Sequence, residues 1–204
     1  MSDRAVPASG SGDLRPGDAE QDPPLSEPFA VSVAELSESE VDPASTAIYT
    51  MNDDRPLRYW QDYHLVIGRI KDDGFYYYWN IDWVTNDQYD WDYALKNREG
   101  FKHSSAIHKY HHHETDERVQ VDTEVRMRMD NRYWYKQRDR VKRESHWQDS
   151  KVRAMRLELL PGLRSLFYIQ DVDTGEYIEM MLNPGWAATW GHNGKAVFAA
   201  HTLT

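Results

Sequence analysis

Apolar and polar residues alternate strictly between Val119 and Met129. Val119, Val121, Val125, Met127 and Met129, together with Thr123, fall on every second position, and the polar residues Gln120, Asp122, Glu124, Arg126 and Arg128 fill the gaps. A period of two residues is typical of a β-strand with one buried face and one face in water. We therefore predict a strand over residues 119–129 with antiparallel neighbours that form the scaffold of the protein.

Turn-forming residues separate other strand-like segments. The flanking segments are 64–70 and 75–85 around Lys71–Gly74, 165–172 and 176–182 around Asp173–Gly175, and 186–190 and 195–201 around His192–Gly194. Each arrangement predicts a β-hairpin, and Asn193-Gly194 is the typical two-residue hairpin turn. Between these hairpins, the segments 101–113, 118–129 and 132–142 predict a meander.

Three stretches leave helix and extended structure open. Asp54-Arg55-Pro56 resembles a helix start, and the alternative is an extended run into 64–70. Residues 86–100 fit a short helix ended by Gly100 or a long loop. Residues 144–160 fit a helix through Trp147 and Met155 or a strand through Met155 and Leu159.

These segments predict a mainly β protein, an antiparallel barrel or sandwich with one or two short helices. The alternative is an α+β protein whose cone-like sheet wraps around helices. Residues 1–44 are rich in Ser, Gly, Pro, Asp and Glu, and we interpret them as a disordered tail before a single domain at 45–204.

The negative charge of the chain lies in its leading segment. Residues 1–54 contain twelve acidic and two basic residues, a net charge of −10, so the remaining 22 acidic and 22 basic residues cancel. The acidity of the whole chain therefore says nothing about what the predicted domain binds.

Several classes of site are excluded by composition. The chain has no cysteine, so thiolate nucleophiles, zinc–thiolate sites and iron–sulfur clusters are ruled out. No apolar run approaches the roughly 20 residues that span a bilayer, and the first residues do not resemble a signal peptide. We expect a cytoplasmic protein without a cofactor, because phosphate-loop, dinucleotide and serine-hydrolase motifs are also missing.

A cluster of histidines is the candidate metal site. On a continuous strand His111 and His113 would share one face about 6–7 Å apart, and a third ligand must come from a neighbouring strand. The candidate ligands are His108, His111 and His113. The spacing matches no defined metal motif. Solvated histidines at a strand end are the simpler interpretation.

The run from Arg126 to Arg143 mixes basic and aromatic residues. Such a surface binds single-stranded nucleic acid when its charges share one face. Alternation divides these charges between two faces, and Asp130 and Asp139 dilute them. A nucleic-acid partner is therefore disfavoured relative to cross-strand ion pairs.

The chain contains eight Trp and thirteen Tyr against five Phe, an excess of rings with a polar group. Such rings suit the wall of a pocket for an apolar or partly polar small molecule. The candidate ligand-binding residues are Tyr77, Trp79, Trp83, Tyr133 and Tyr135. Packing in the core is the simpler role for them.

The sequence is therefore compatible with three functions. The first is a small-molecule-binding β-barrel, which could also guide a cyclisation or isomerisation by positioning its substrate. The second is a structural or adaptor subunit that forms homo-oligomers or docks its N-terminal tail on partners. The third is a carbohydrate-binding module. An enclosed cavity favours the first function, and a filled barrel interior favours the second.

Overall fold

The structure of the chain is a computed structural model that describes residues 46–71, 74–82, 94–96, 104–111, 117–137, 139–144, 152–180 and 188–203. These residues form twelve strands and contain no helix. The strands are β1 Asp62–Lys71, β2 Gly74–Asp82, β3 Ala94–Lys96, β4 Ser105–Lys109, β5 Val125–Met129, β6 Arg132–Gln137, β7 Arg140–Glu144, β8 Met155–Leu159, β9 Phe167–Asp171, β10 Tyr177–Met180, β11 Ala188–Gly191 and β12 Val197–Thr202.

Six of these strands close a barrel. Antiparallel pairing runs from β1 to β4, β5, β8, β9 and β12, and β12 pairs again with β1. The remaining strands form the hairpins β2–β3, β6–β7 and β10–β11. The predicted antiparallel β class is confirmed, and closure leaves these six strands without a free sheet edge.

The chain repeats one four-strand unit three times, as β1–β4, β5–β8 and β9–β12. In each unit the first and fourth strands belong to the barrel, and the second and third strands form a hairpin. A six-stranded barrel with three such hairpins is the arrangement called a β-trefoil. The sequence shows no repeat that predicts this threefold order.

The barrel interior is filled with apolar side chains. Tyr63, Val125 and Phe167 occupy equivalent positions on the three first strands, since each pairs with a fourth strand at the same register. All three are buried, as are Leu65 and Met127 on the same face. The described barrel strands therefore show the filled interior that a central ligand cavity would not allow.

Residues 46–60 pack against the barrel at the end where β1 begins. Ile48 and Leu57 are buried in the barrel core, and their backbones bond to each other and to Val119. The predicted helix start at Asp54 is wrong, because Pro56 and Arg58 form β-bridges with Tyr49 and Arg118 instead. Of the other open stretches, 155–159 is a strand, as one alternative predicted, and most of 86–100 lies outside the described residues.

The predicted strand over residues 119–129 is interrupted. Only Val125–Met129 forms the strand β5, because a turn at residues 121–123 follows the bridge between Ala47 and Gln120. The prediction of one face in water is also wrong. Arg126 lies on the polar face of β5, and its side chain is only 2% exposed.

Two of the three hairpins predicted from turn residues are confirmed, and one is wrong. The hairpins around residues 71–74 and 173–175 are confirmed, since β1 pairs with β2 and β9 pairs with β10. The hairpin predicted at Asn193-Gly194 is wrong, because β11 pairs with β10 and β7, whereas β12 pairs with β1 and β9. Here the turn connects a hairpin strand to a barrel strand.

Candidate functional site

A polar cleft of about 290 Å³ opens at the barrel end where β1 begins and β12 ends. Its lining consists of Arg55, Pro56, Arg58, Gln61, Tyr63 and Thr202. Tyr63 and Thr202 are register partners on β1 and β12, so the barrel itself fixes one wall. The other wall belongs to the segment that packs against this barrel end.

Tyr63 joins the cleft to the core. Its side chain is buried with the barrel interior, while its hydroxyl accepts a hydrogen bond from the Arg58 backbone N–H at 2.8 Å. The same hydroxyl donates to the Gln61 side-chain oxygen at 2.8 Å. Two cleft residues are thus held by a hydroxyl that cannot move without repacking the barrel.

The Arg55 side of the cleft is ordered by an Asp53-centred network. The Asp53 carboxylate accepts hydrogen bonds from the Thr50 hydroxyl and, at 2.9 Å, from the Thr202 hydroxyl. Arg55 Nε lies 3.2 Å from the same carboxylate. The Thr50 bond is the main cause that lowers the pKa of Asp53, so this group stays ionised at neutral pH. The network holds Arg55 at the cleft.

A second polar cluster lies on the outer barrel wall around His108. The imidazole is fully buried and stacks on Trp60, with ring centroids 3.7 Å apart. Its Nδ1 shares a hydrogen bond of 3.0 Å with the Tyr133 hydroxyl. Burial, followed by the charges of Arg128 and Arg126, lowers the pKa of His108 to about 3. His108 is therefore neutral throughout the physiological range.

Two guanidinium groups flank this imidazole. Arg126 is the register partner of His108; it lies 5.1 Å from the Tyr133 ring centroid and donates to the Tyr110 carbonyl at 3.3 Å. Arg128 follows on the same face of β5 and donates to Asp62 at 2.8 Å. We call His108, Trp60, Tyr133, Arg126 and Arg128 the His108 cluster.

Trp60 is held over His108 by an unusual backbone. Its φ of +68° lies in the left-handed region, which bulky residues rarely adopt. The Trp60 backbone N–H donates to the Ile107 carbonyl at 3.0 Å, which fixes this conformation next to β4. Backbone strain of this kind persists only where surrounding contacts enforce it.

The two described residues of the predicted metal site differ in their surroundings. His108 is buried, whereas His111 is exposed and lies 3.5 Å from Glu124. Strand β4 ends at Lys109, so the alternation assumed for His111 does not apply, and His113 lies outside the described residues. The described part of the chain contains no group of three or more His, Cys, Asp or Glu residues that could hold a metal.

The predicted ligand-binding rings are only partly described. Tyr133 is 7% exposed within the His108 cluster, and Tyr135 is half-buried on the same face of β6. Trp83 and the side chains of Tyr77 and Trp79 lie outside the described part. The register between β1 and β2 shifts between Ile67, which pairs with Trp79, and Gly68, which pairs with Tyr77.

The sequence reasoning missed several residues of both sites. Arg55, Arg58 and Gln61 carried no motif, because they meet only when the segment before β1 packs against the barrel. Trp60 lies in the stretch after Asp54, for which the sequence pattern does not decide between a helix and an extended segment. The period of two places Arg126 on a solvated face, and no local signal marks its burial.

The chain matches no protein-family model, and no curated protein matches it. Among solved structures, the water-soluble chlorophyll protein (WSCP) of Brassica oleracea var. botrytis, solved with chlorophyll b, is similar with a TM-score of 0.58 and 8% sequence identity. The match covers 78% of this chain and 100% of that one.

A crystal structure of an HCR/D mutant is similar with a TM-score of 0.57 and 8% identity, over 78% of this chain. The chain spans 44% of the HCR/D chain. At such identities the two likenesses show a shared β fold alone. In the part of the chain that is described, no helix is suited to crossing a membrane.

Proposed function

We propose that the protein binds a small, partly polar molecule with a carboxylate or phosphate group in the cleft between Arg55 and Thr202. The observation that carries the proposal is the convergence of two arginines, an amide and two hydroxyl groups on one concave surface. Guanidinium groups recognise carboxylate and phosphate by charge and by paired hydrogen bonds.

The position and construction of the cleft support this proposal. Ligand sites in barrels often lie at the barrel mouth, where rigid strands position a few polar groups. Arg58 is tied through its backbone to Tyr63, and Arg55 is tied to Asp53. Because the Arg58 backbone is held and Arg55 already contacts Asp53, a ligand has fewer groups to order when it binds.

Binding is favoured over catalysis by the chemistry of the lining. Of the described residues that line the cleft, none is a carboxylate or a histidine. A cyclisation or isomerisation that needs proton transfer would have to rely on the Tyr63 hydroxyl, which is engaged with Gln61 and the Arg58 backbone.

The test is a thermal-shift and equilibrium-dialysis screen of small carboxylic acids and phosphate monoesters. We expect at least one compound to bind, and Arg58→Gln or Arg55→Gln to weaken it about tenfold or more, because each removes a charge-assisted contact. Arg156→Gln, at an exposed position of β8, is the matched control and should leave binding unchanged. Equal binding by all four proteins, or no binding compound, would contradict the proposal.

A structural subunit of a larger assembly is the second candidate. The filled barrel interior favours it, since the described strands leave no central space for a ligand. Light scattering of the full chain and of a chain without residues 1–44 separates the two candidates. A defined oligomer that dissociates without the tail supports the assembly, whereas a monomer in both cases supports the binding protein.

A further inference from the structure

The three repeats place one residue pair at the same position of the outer barrel wall. The equivalent pairs are His108 with Arg126, Glu158 with Tyr168, and His201 with His64. Two residues after Arg126 on β5, Arg128 pairs with Tyr133 of β6. Two residues after Tyr168 on β9, Gln170 pairs with Tyr177 of β10 in the same way. Register alone thus makes Glu158 the counterpart of His108, and Tyr177 the counterpart of Tyr133.

The side chains repeat the same contacts in these two places. At the site between the second and third repeats, the Tyr177 hydroxyl donates to the Glu158 carboxylate, and Lys195 Nζ lies 3.9 Å from the Tyr177 ring centroid. At the site between the first and second repeats, the Tyr133 hydroxyl is bonded to His108, and the Arg126 guanidinium lies over the Tyr133 ring. Each site combines a tyrosine, a cation over its ring and a partner on the fourth strand.

The two sites differ in the charge of that partner. Glu158 supplies a carboxylate, whose Oε1 lies 3.5 Å from Lys195 Nζ. His108, at the equivalent position, supplies a neutral ring between two arginines. The site around Tyr177 thus contains a negative group at the position where the site around Tyr133 has a neutral one.

His108 also has an unused polar atom. Its Nε2 is buried and has no hydrogen-bond partner within the described part of the chain, and the same holds for Nε of Arg128. In the tautomer in which the Tyr133 hydroxyl donates to Nδ1, Nε2 carries the ring proton and is a buried donor. Leaving such a buried donor unpaired is unfavourable, because it has lost its hydrogen bonds to water.

We propose that the His108 cluster binds an inorganic or organic oxyanion, in which one oxygen accepts from His108 Nε2 and others lie against Arg126 and Arg128. Beside His108, the anion supplies the negative charge that the Glu158 carboxylate supplies at the Tyr177 site. Phosphate, sulfate and a carboxylate share the required chemistry, namely several acceptor oxygens and a negative charge. This site is distinct from the cleft at Arg55 and Arg58.

The experiment follows the His108 ring directly with ¹⁵N-labelled histidine in the full chain. Long-range ¹H–¹⁵N spectra are recorded while sodium phosphate, and separately sodium sulfate, replaces sodium chloride at constant ionic strength. His108→Asn, which keeps a partner near the Tyr133 hydroxyl, assigns the resonance. We expect a saturable shift of the Nε2 resonance, and at least about tenfold weaker binding in Arg128→Met.

Two controls separate this site from other effects. Arg156→Met removes an exposed arginine of β8, and Arg58→Gln alters the cleft, so both should keep the His108 response. A titration with sodium acetate shows whether the site binds a carboxylate as well as a tetrahedral anion. A His108 resonance of the unmodified protein that does not move with any of these anions would overturn the proposal, as would a shift that Arg128→Met leaves unchanged.

Discussion

The Glu179 side chain leaves room only for glycine at position 191. The Glu179 carboxylate accepts from the Asn193 backbone N–H at 2.6 Å and from the Gly194 N–H at 2.8 Å. A Cβ at Gly191 would lie 2.6 Å from that carboxyl group. We expect Gly191→Ala to lower the free energy of unfolding by about 1–3 kcal/mol, because the carboxylate must leave the turn. Urea denaturation measures it.

A double-mutant cycle checks the cause. Glu179→Ala alone should destabilise the protein through the two lost hydrogen bonds, and Gly191→Ala should add little to it. If the two losses of stability simply add, the clash with Glu179 is not the reason for the effect.

His108 predicts how stability depends on pH. Its pKa is about 3 in the folded protein against 6.5 in the unfolded chain. The unfolded chain therefore binds the proton first, so this group causes stability to fall as the pH drops below 6.5. From pH 7 to pH 5 the expected contribution is a loss of about 2 kcal/mol. Urea unfolding at both values measures it.

His108→Asn isolates this contribution from that of the other titrating groups. The variant lacks the titrating ring, so its loss of stability between the two pH values should be smaller than that of the unmodified chain by the same amount. Identical losses in both proteins would show that His108 is not the group responsible.

At the scale of the element, the alternation of apolar and polar residues predicts where strands lie, but it does not predict whether their polar faces are exposed to water. Val125, Met127 and Met129 are buried as the period of two predicts. The same period assigns Arg126 to water, yet it is buried beside Tyr133 and Tyr110. Which second layer covers a strand face is decided by residues distant in sequence, and no local pattern encodes it.

The candidate sites show the same limit. His108 was predicted as a metal ligand and Tyr133 as a ligand-binding ring, and they contact each other in one cluster. Residue chemistry marked both, whereas their pairing depends on the register of β4, β5 and β6. Asn193-Gly194 failed as a hairpin signal because the strand that follows it, β12, pairs with β1 and β9 of the barrel.

Strand β9 carries the buried carboxylate of Asp171, and its ion pair with Arg153 determines its effect on stability. The fully buried Asp171 accepts two hydrogen bonds from Arg153, at 3.2 and 3.0 Å, and the bond to Asp171 is the main cause that raises the pKa of Arg153. We expect Arg153→Met to lower the free energy of unfolding by about 3–5 kcal/mol, since it leaves the carboxylate without its cation. Chemical denaturation at neutral pH measures this loss.

The threefold register suggests the compensating change. Ile67 and Met129 are the counterparts of Asp171, because each pairs with the equivalent residue of a fourth strand. Arg153→Met combined with Asp171→Met should therefore recover most of the lost stability. A double variant as unstable as Arg153→Met would show that the carboxylate is not the source of the loss.

At the scale of the whole molecule, the threefold order resides in the register and not in the residue types. Equivalent positions hold Tyr63, Val125 and Phe167 inside the barrel, which share only their burial. On the outer wall, the equivalent positions of the fourth strands hold His108, Glu158 and His201. The sequence therefore carries no visible repeat. The three outer-wall sites can therefore differ in chemistry while the barrel remains the same.

Closure of the barrel depends on its last strand. β12 lies between β1 and β9, contributes the buried Phe198 and Ala200, and is joined to Asn52 through Thr202. A chain that ends at Gly194 would expose two strand edges and the barrel core, so we expect no cooperative unfolding transition in circular dichroism. Removal of Leu203 and Thr204 alone should keep the transition, because Leu203 is 45% exposed and lies beyond β12. A cooperative transition in the shorter chain would mean that five strands form a stable core without closing the ring.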